Sequence, residues 1–201
     1  MMSGISESHC MYRILSALAL CCLCLLSSPV VYAEQPAQVT RIDPILHDGQ
    51  LLLDADIAFT LKSELRNAAE KGVPLYFTAD LRIVRPRWWW FDETIVSTDQ
   101  TWRIQYNALT QQWRIGTGDL SIPATSLDEA LDLVRHIRGW PIAPTNLFAQ
   151  GIRYQGQLRL RLDTSRLARP FQVDALNSNT WSLTTPWKDF DFSISAATHH
   201  D

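Results

Sequence analysis

The sequence predicts a mainly β domain, most simply a sandwich of antiparallel sheets decorated with two short α-helices. Three observations carry that reading. Segment after segment alternates apolar and polar residues, as half-buried strands do. Turn signals rich in Gly, Asn and Asp separate these segments at frequent intervals. Only two stretches carry helical spacing of apolar residues, so the alternative is a single sheet backed by both helices, an α+β arrangement.

The first residues stand apart from this pattern. An apolar run at 14–26 follows Arg13 and precedes Ser27-Ser28-Pro29 and Val31-Tyr32-Ala33. A short positive region, an apolar core, a breaker and small residues make a secretory signal peptide, with cleavage expected after Ala33. The run falls short of the about 20 apolar residues that span a bilayer; an uncleaved inner-membrane anchor is the alternative. Initiation at Met11 instead of Met1 would give a leader of more usual length. The expected location is periplasmic or secreted, with no integral span in the mature chain. All four cysteines, Cys10, Cys21, Cys22 and Cys24, lie in this leader. The mature chain would therefore have no disulfide, thiolate metal site or cysteine nucleophile. Leu20 and Leu23 occupy positions where a lipidated cysteine wants a small residue before it. Residues 34–201 suit one domain with a sizeable core, ending in a disordered tail that includes His199 and His200.

Within that domain, 39–46 and 50–59 flank His47-Asp48-Gly49, a hairpin turn signal. In the second strand Leu51, Leu53, Ala55, Ile57 and Phe59 share one face, leaving Asp54 and Asp56 on the other, where they are expected to be solvated. Thr60 can cap a helix with Leu61, Leu65, Ala68 and Ala69 inward, stopped by Gly72 and Pro74. The stretch 75–93 then organises the chain. Leu75, Phe77, Ala79, Leu81 and Ile83 alternate with Tyr76, Thr78, Asp80 and Arg82, after which Pro86 and the run Trp88-Trp89-Trp90-Phe91 break the pattern. Aromatic bulk on both faces needs cover on both sides. The run is expected to pack in the core or at a sheet edge, and an exposed platform for sugar rings, a peptide or the membrane interface is the alternative.

The next hairpin, 101–105 with 112–116, puts Trp102, Ile104, Trp113 and Ile115 on one face. A turn at Asn107-Ala108-Leu109-Thr110 pairs Trp102 with Ile115, Ile104 with Trp113, and Arg103 with Arg114. Like charges opposite each other need compensation, by an acid or solvent in the first instance and by a bound anion otherwise. Ser126-Leu127-Asp128-Glu129 is a capping box opening the clearest helix, with Leu127, Ala130, Leu131 and Val134 as its apolar stripe and His136 in its last turn. Residues 140–144, Trp-Pro-Ile-Ala-Pro, read as an ordered connector. Strands resume at 153–163, with Leu158, Leu160 and Leu162 inward, near 181–183, and around Phe190, Phe192 and Ile194.

Composition excludes several functions. The full chain carries 18 basic and 21 acidic residues, a net charge of −3, which does not suit a general nucleic-acid binder. No His-x-x-x-His zinc spacing, glycine-rich phosphate loop, nucleophile elbow or calcium loop is present, so no catalytic, metal or cofactor residue is assigned and an enzyme is not expected. What recurs is outward arginine on strands and eight tryptophans. The candidate binding surface is Arg87, Trp88, Trp89, Trp90, Arg103, Arg114, Arg159 and Arg161. It would face an envelope protein or an anionic lipid or glycan surface. Asp80, Asp163, Asp189 and Asp191 are the acids that could neutralise the arginines instead.

Four stretches taken together resemble the DUF4390 family of exported proteobacterial proteins of unknown function. They are Arg87-Trp88-Trp89-Trp90-Phe91-Asp92-Glu93, Tyr106-Asn107-Ala108-Leu109-Thr110, the segment from Leu162-Asp163-Thr164-Ser165-Arg166-Leu167 into Pro170-Phe171-Gln172, and Trp181 with Trp187. Ala168-Arg169 departs from the proline expected after the leucine. The resemblance implies a signal peptide and a single domain, and transfers no catalytic residue. It also implies an envelope signalling partner, since genes of the family often neighbour those of a membrane sensor kinase of the nitrogen-regulation type. The functional expectation is an exported, non-catalytic interaction or ligand-binding module.

Overall fold

The computed structural model describes residues 36–89, 91–169, 172 and 181–194, all within the compact unit Gln35–Asp201. The expected leader and the tail histidines lie outside the described residues. Among the described residues the named elements make the domain mainly β, with two antiparallel sheets and two α-helices. Its strands are β1 (Gln38–His47), β2 (Gln50–Ala58), β3 (Leu75–Arg85), β4 (Glu93–Asn107), β5 (Gln112–Thr117), β6 (Leu120–Ala124), β7 (His136–Pro144), β8 (Arg153–Leu162) and β9 (Lys188–Ser193). The helices are α1 (Ser63–Glu70) and α2 (Leu127–Arg135). One sheet has the order β1-β2-β7 and the other β6-β5-β4-β3-β8-β9.

Alternation decides which residues meet between the sheets. Leu51, Leu53, Ala55 and Ile57 of β2, Leu75, Phe77, Ala79, Leu81 and Ile83 of β3, and Tyr154, Leu158 and Leu160 of β8 are all buried in one continuous core. Trp102 and Ile104 of β4 and Trp113 and Ile115 of β5 join them on the shared face that their spacing predicts. Gly156 sits opposite Phe190 of β9, whose ring lies where a Cβ would be. The missing side chain lets an aromatic from the edge strand cover the sheet.

Helix α2 follows its local signals closely, and α1 follows its stop signal but not its start. In α2 the Ser126 hydroxyl accepts the Glu129 N–H at 3.1 Å, and Leu127, Ala130, Leu131 and Val134 are buried against both sheets. The Glu129 carboxylate accepts the Thr125 N–H at 2.6 Å, one residue earlier than a standard capping box. Helix α1 starts later than its sequence predicts, at Ser63 after Lys62, and Gly72 ends it with φ of +89°. Arg66 of α1 makes two hydrogen bonds to the Asp128 carboxylate of α2, at 2.8 and 3.1 Å, tying the helices together.

Two strands go beyond what the sequence predicts. Residues 136–144 form strand β7, and 120–124 form strand β6. Proline conceals both. Pro141 and Pro144 lie on an edge strand that pairs only with β2, and Pro123 lies on an edge strand that pairs only with β5, so the missing N–H faces no partner sheet. Trp181 falls outside any strand, and a single bridge from Thr184 to Arg161 replaces the expected strand near it.

Strand β7 is held by carboxylates expected to be merely solvated. Asp54 accepts the Gly139 N–H at 2.7 Å, and Gly139 has φ of +60°. Asp56 meets His136 Nδ1 at 3.0 Å and Arg138 Nη2 at 2.5 Å. The hydrogen bond from His136, then that from Arg138, holds the Asp56 carboxyl down at about 2. Because this folded value lies below the unfolded one of 3.8, the contribution is complete above the unfolded value. It is lost as pH falls through that value toward 2. The expected difference between wild type and Asp56→Asn is on the order of 1 kcal/mol near neutral pH, after screening at this partly exposed site, and most of it is gone by pH 2. Urea unfolding of both proteins across pH 2–7 checks it; a pH-independent gap would remove the seam's electrostatic origin.

Candidate functional site

Trp88, Trp89 and Phe91 lie in the connection between β3 and β4. Pairing ends at Arg85↔Glu93, where Pro86 turns the chain out of the ladder. Glu93 braces the base of the loop: it pairs with Arg85 and, at 2.6 Å, with Arg87. The hydrogen bond from Arg87, then that from Arg85, keeps the Glu93 carboxyl below its usual range. The Arg87 N–H also donates to Asp92 at 3.3 Å. Beyond this clamp Trp88 is 89% exposed, Trp89 66% and Phe91 84%. The first two pack edge to face, with centroids 4.8 Å apart and planes at 78°.

Burial of Trp88 and Trp89, the expected outcome, is therefore overturned. The chain leaves the sheet at Pro86, before the tryptophans, so neither sheet face is available to cover them. Trp90 lies outside the described residues.

More apolar surface gathers at this end of the sandwich. The turn between β1 and β2 has positive φ at both Asp48 and Gly49, which matches a two-residue type I′ hairpin. Gln50 pairs with Pro144 at the end of β7, and the Thr145 N–H donates to Gly49 O at 2.8 Å. Residues 145–152 then cross to the start of β8, where Gln155 pairs with Val84, next to the aromatic hairpin. Ile45 and Leu46 beside the first turn, and Leu147 and Ile152 in the crossover, are exposed as well.

Apart from Arg87, which belongs to the hairpin itself, the candidate arginines do not form one surface with this end. Arg159 and Arg161 of β8 both donate through Nε to Asp80 Oδ2, at 2.8 and 3.1 Å. Arg161 also reaches Asp163 at 3.4 Å, and Arg159 stacks on the Trp187 ring at 4.4 Å. These two arginines are neutralised and oriented by their own fold. Arg87 is likewise engaged by Glu93.

Arg103 and Arg114 differ. The β4–β5 register pairs Arg103 with Gly116 and Gln105 with Arg114, so the expected direct opposition of the two arginines is corrected to a diagonal. Parity is kept, but the turn comprises residues 108–111 instead of 107–110. Asn107 stays in the ladder while its side-chain oxygen accepts the N–H groups of Leu109 and Thr110 at 3.0 and 3.3 Å, and Gln111 closes the turn at φ of +53°. Ile104 consequently faces Ile115, and Trp102 faces Thr117. On the outer face, Arg103, Gln105, Asn107, Arg114 and Ser121 line a shallow groove of about 330 Å³.

Sequence reasoning named Asp80 among the acids that could neutralise the arginines, and Asp80 does so for Arg159 and Arg161; it did not foresee Asp56 as a hub, or Gln105 and Ser121 in the groove. Outward alternation marks Asp80 and Asp56 as surface residues, yet their partners come from β8 and β7, about 80 positions away, and no local spacing encodes that. Among the described residues no three His, Cys, Asp or Glu side chains group to hold a metal ion, and no helix is long and apolar enough to cross a membrane.

Fold and surface together define an antiparallel β-sandwich domain with an ion-pair-braced aromatic hairpin at one end. The chain belongs to the DUF4390 family, described as a domain of unknown function, whose match covers residues 34–191. Neither the curated proteins nor the solved structures give a match.

Proposed function

We propose that this domain is an exported, non-catalytic interaction module that docks on an envelope partner through the aromatic hairpin 86–92. The observation that carries the reading is the exposure of Trp88 and Trp89 beyond a closed ion-pair clamp. Exposed tryptophan is costly to keep in water and is the residue type that most often dominates binding energy at interfaces. A membrane sensor kinase is the partner class that the family resemblance favours.

The test is titration of the cleaved domain into the kinase's extracytoplasmic region. Combined Trp88→Ala and Trp89→Ala replacement is expected to weaken binding by at least about 30-fold, the loss of a hot spot, with an unchanged unfolding midpoint. Undiminished binding by the variant sinks this reading. The additional exposed residues Ile45, Leu46, Leu147 and Ile152 at the same end favour a second one, docking on an envelope lipid or glycan surface. Tryptophan-dependent sedimentation with vesicles or cell-wall material, together with no affinity for the kinase, would select it.

A further inference from the structure

The groove on the outer face of β4 and β5 is chemically unlike the rest of the arginine-bearing surface. Arg159 and Arg161 share a carboxylate, and Arg87 has one. No acidic residue stands among those lining the β4–β5 groove, and among the described residues the Arg103 side chain has no hydrogen-bond or ion-pair partner. Arg114 donates only through Nε, to the Ser121 hydroxyl at 3.2 Å. That bond orients the guanidinium and leaves its terminal N–H groups directed elsewhere.

The register makes the two guanidiniums neighbours. Arg103 and Arg114 occupy diagonal positions of one strand pair on one face, a separation of roughly 7–8 Å between backbones that long side chains bridge easily. Gly116, directly opposite Arg103, adds no side chain between them. Gln105 and Asn107 bring neutral amide groups to the same groove, and Asn107 uses only its oxygen in the turn. The groove therefore gathers two fixed positive charges and several neutral donors, while Asp99 and Asp119 line the adjoining pocket that Arg103 and Ser121 also border.

We infer that this groove binds a phosphate-type dianion, the phosphate group of a small molecule or of a lipid headgroup. The argument is donor counting. One guanidinium fork saturates the two oxygens of a carboxylate, whereas two forks converging on one ligand call for an anion with three or four oxygens. The site is distinct from the aromatic hairpin: Arg103 lies ten residues along β4 from Glu93, roughly 30 Å at the rise of an extended strand. The domain then carries a ligand site and a partner-docking end on one continuous sheet.

The experiment is an NMR titration of the cleaved domain, observing arginine Nε–H and backbone amides at constant ionic strength. Inorganic phosphate, glycerol phosphate, succinate and vesicles bearing phosphatidic acid are the probes. Saturable shifts centred on Arg103, Arg114 and Ser121 are expected with both phosphates. Arg103→Gln and Arg114→Gln should each weaken binding at least about tenfold, and Arg82→Gln should leave it unchanged. Arg82 is an outward arginine of the same sheet held by Thr94 at 2.9 Å, and is therefore a control for general surface charge. Retention of the wild-type amide spectrum away from the groove shows that each variant is folded. If inorganic phosphate binds but vesicles bearing phosphatidic acid do not, the ligand is a soluble phosphate; binding to both makes the headgroup the ligand as well. Succinate binding as tightly as phosphate, linear shifts without saturation, or an equal loss in Arg82→Gln would overturn the assignment.

Discussion

Tyr154→Ala is expected to lower the stability of the domain by about 3–5 kcal/mol, the range for deleting a large buried aromatic, whereas Trp88→Ala should change it by no more than about 0.5 kcal/mol. Tyr154 is almost completely inaccessible. Its ring meets Phe148 edge to face at 5.1 Å and stacks with Phe192 at 5.6 Å, joining the crossover 145–152 to strands β8 and β9. Its hydroxyl accepts the Ala149 N–H at 2.8 Å. Tyr154→Phe therefore separates two contributions: it keeps the packing, strands one amide, and should cost only about 1–3 kcal/mol. Chemical denaturation of the three variants makes the measurement. A cost for Trp88→Ala comparable to that of Tyr154→Ala would mean that the tryptophan is part of the core, and the docking hairpin would lose its basis.

That contrast also shows what was legible in the sequence and what was not. Burial of Leu75, Phe77, Ala79, Leu81 and Ile83 follows from strict alternation, because a period of two admits one answer once a face is covered. The capping box at Ser126 and the turn at Asp48-Gly49 are equally local and equally legible. Strand β7 is not, because proline argues against a strand unless the strand is known to lie at an edge, and edge position is a property of the assembled sheet. The β4–β5 register shows a finer limit. Side-chain parity restricts it to steps of two residues, and the choice between steps rests on the turn, where Gln111 adopts a left-handed conformation that its residue type does not advertise. The exposure of Trp88 and Trp89 was missed for a related reason: three consecutive tryptophans argue for burial by composition, but Pro86 and the Glu93 clamp take Trp88 and Trp89 out of the sheet. The candidate site residues were visible individually. Which arginines are neutralised depends on partners about 80 positions away.

Asp80 is where that neutralisation can be tested. It stands opposite Asp99 on β4 and opposite Arg159 on β8, and it holds both Arg159 and Arg161. Asp80→Ala removes two charge-assisted hydrogen bonds and leaves two like charges side by side, so a loss of about 2 kcal/mol is expected. Asp80→Asn, which keeps an acceptor oxygen but not the charge, should lose less. Adding Arg161→Met to Asp80→Ala should restore part of the stability, because it removes the repulsion that the first change exposes. Equal stability of the single and double variants would show that solvent, and not Asp80, screens these arginines. The same substitution bears on the groove at Arg103 and Arg114. If the absence of a carboxylate is what makes paired arginines an anion site, Asp80→Ala combined with Asp163→Asn, which removes both carboxylates that Arg161 meets, should create a second one on β8 and raise the phosphate stoichiometry from one to two. Wild-type stoichiometry in that variant would mean that free guanidiniums alone are insufficient, and that Ser121, Gln105 and Asn107 supply the selectivity of the first site.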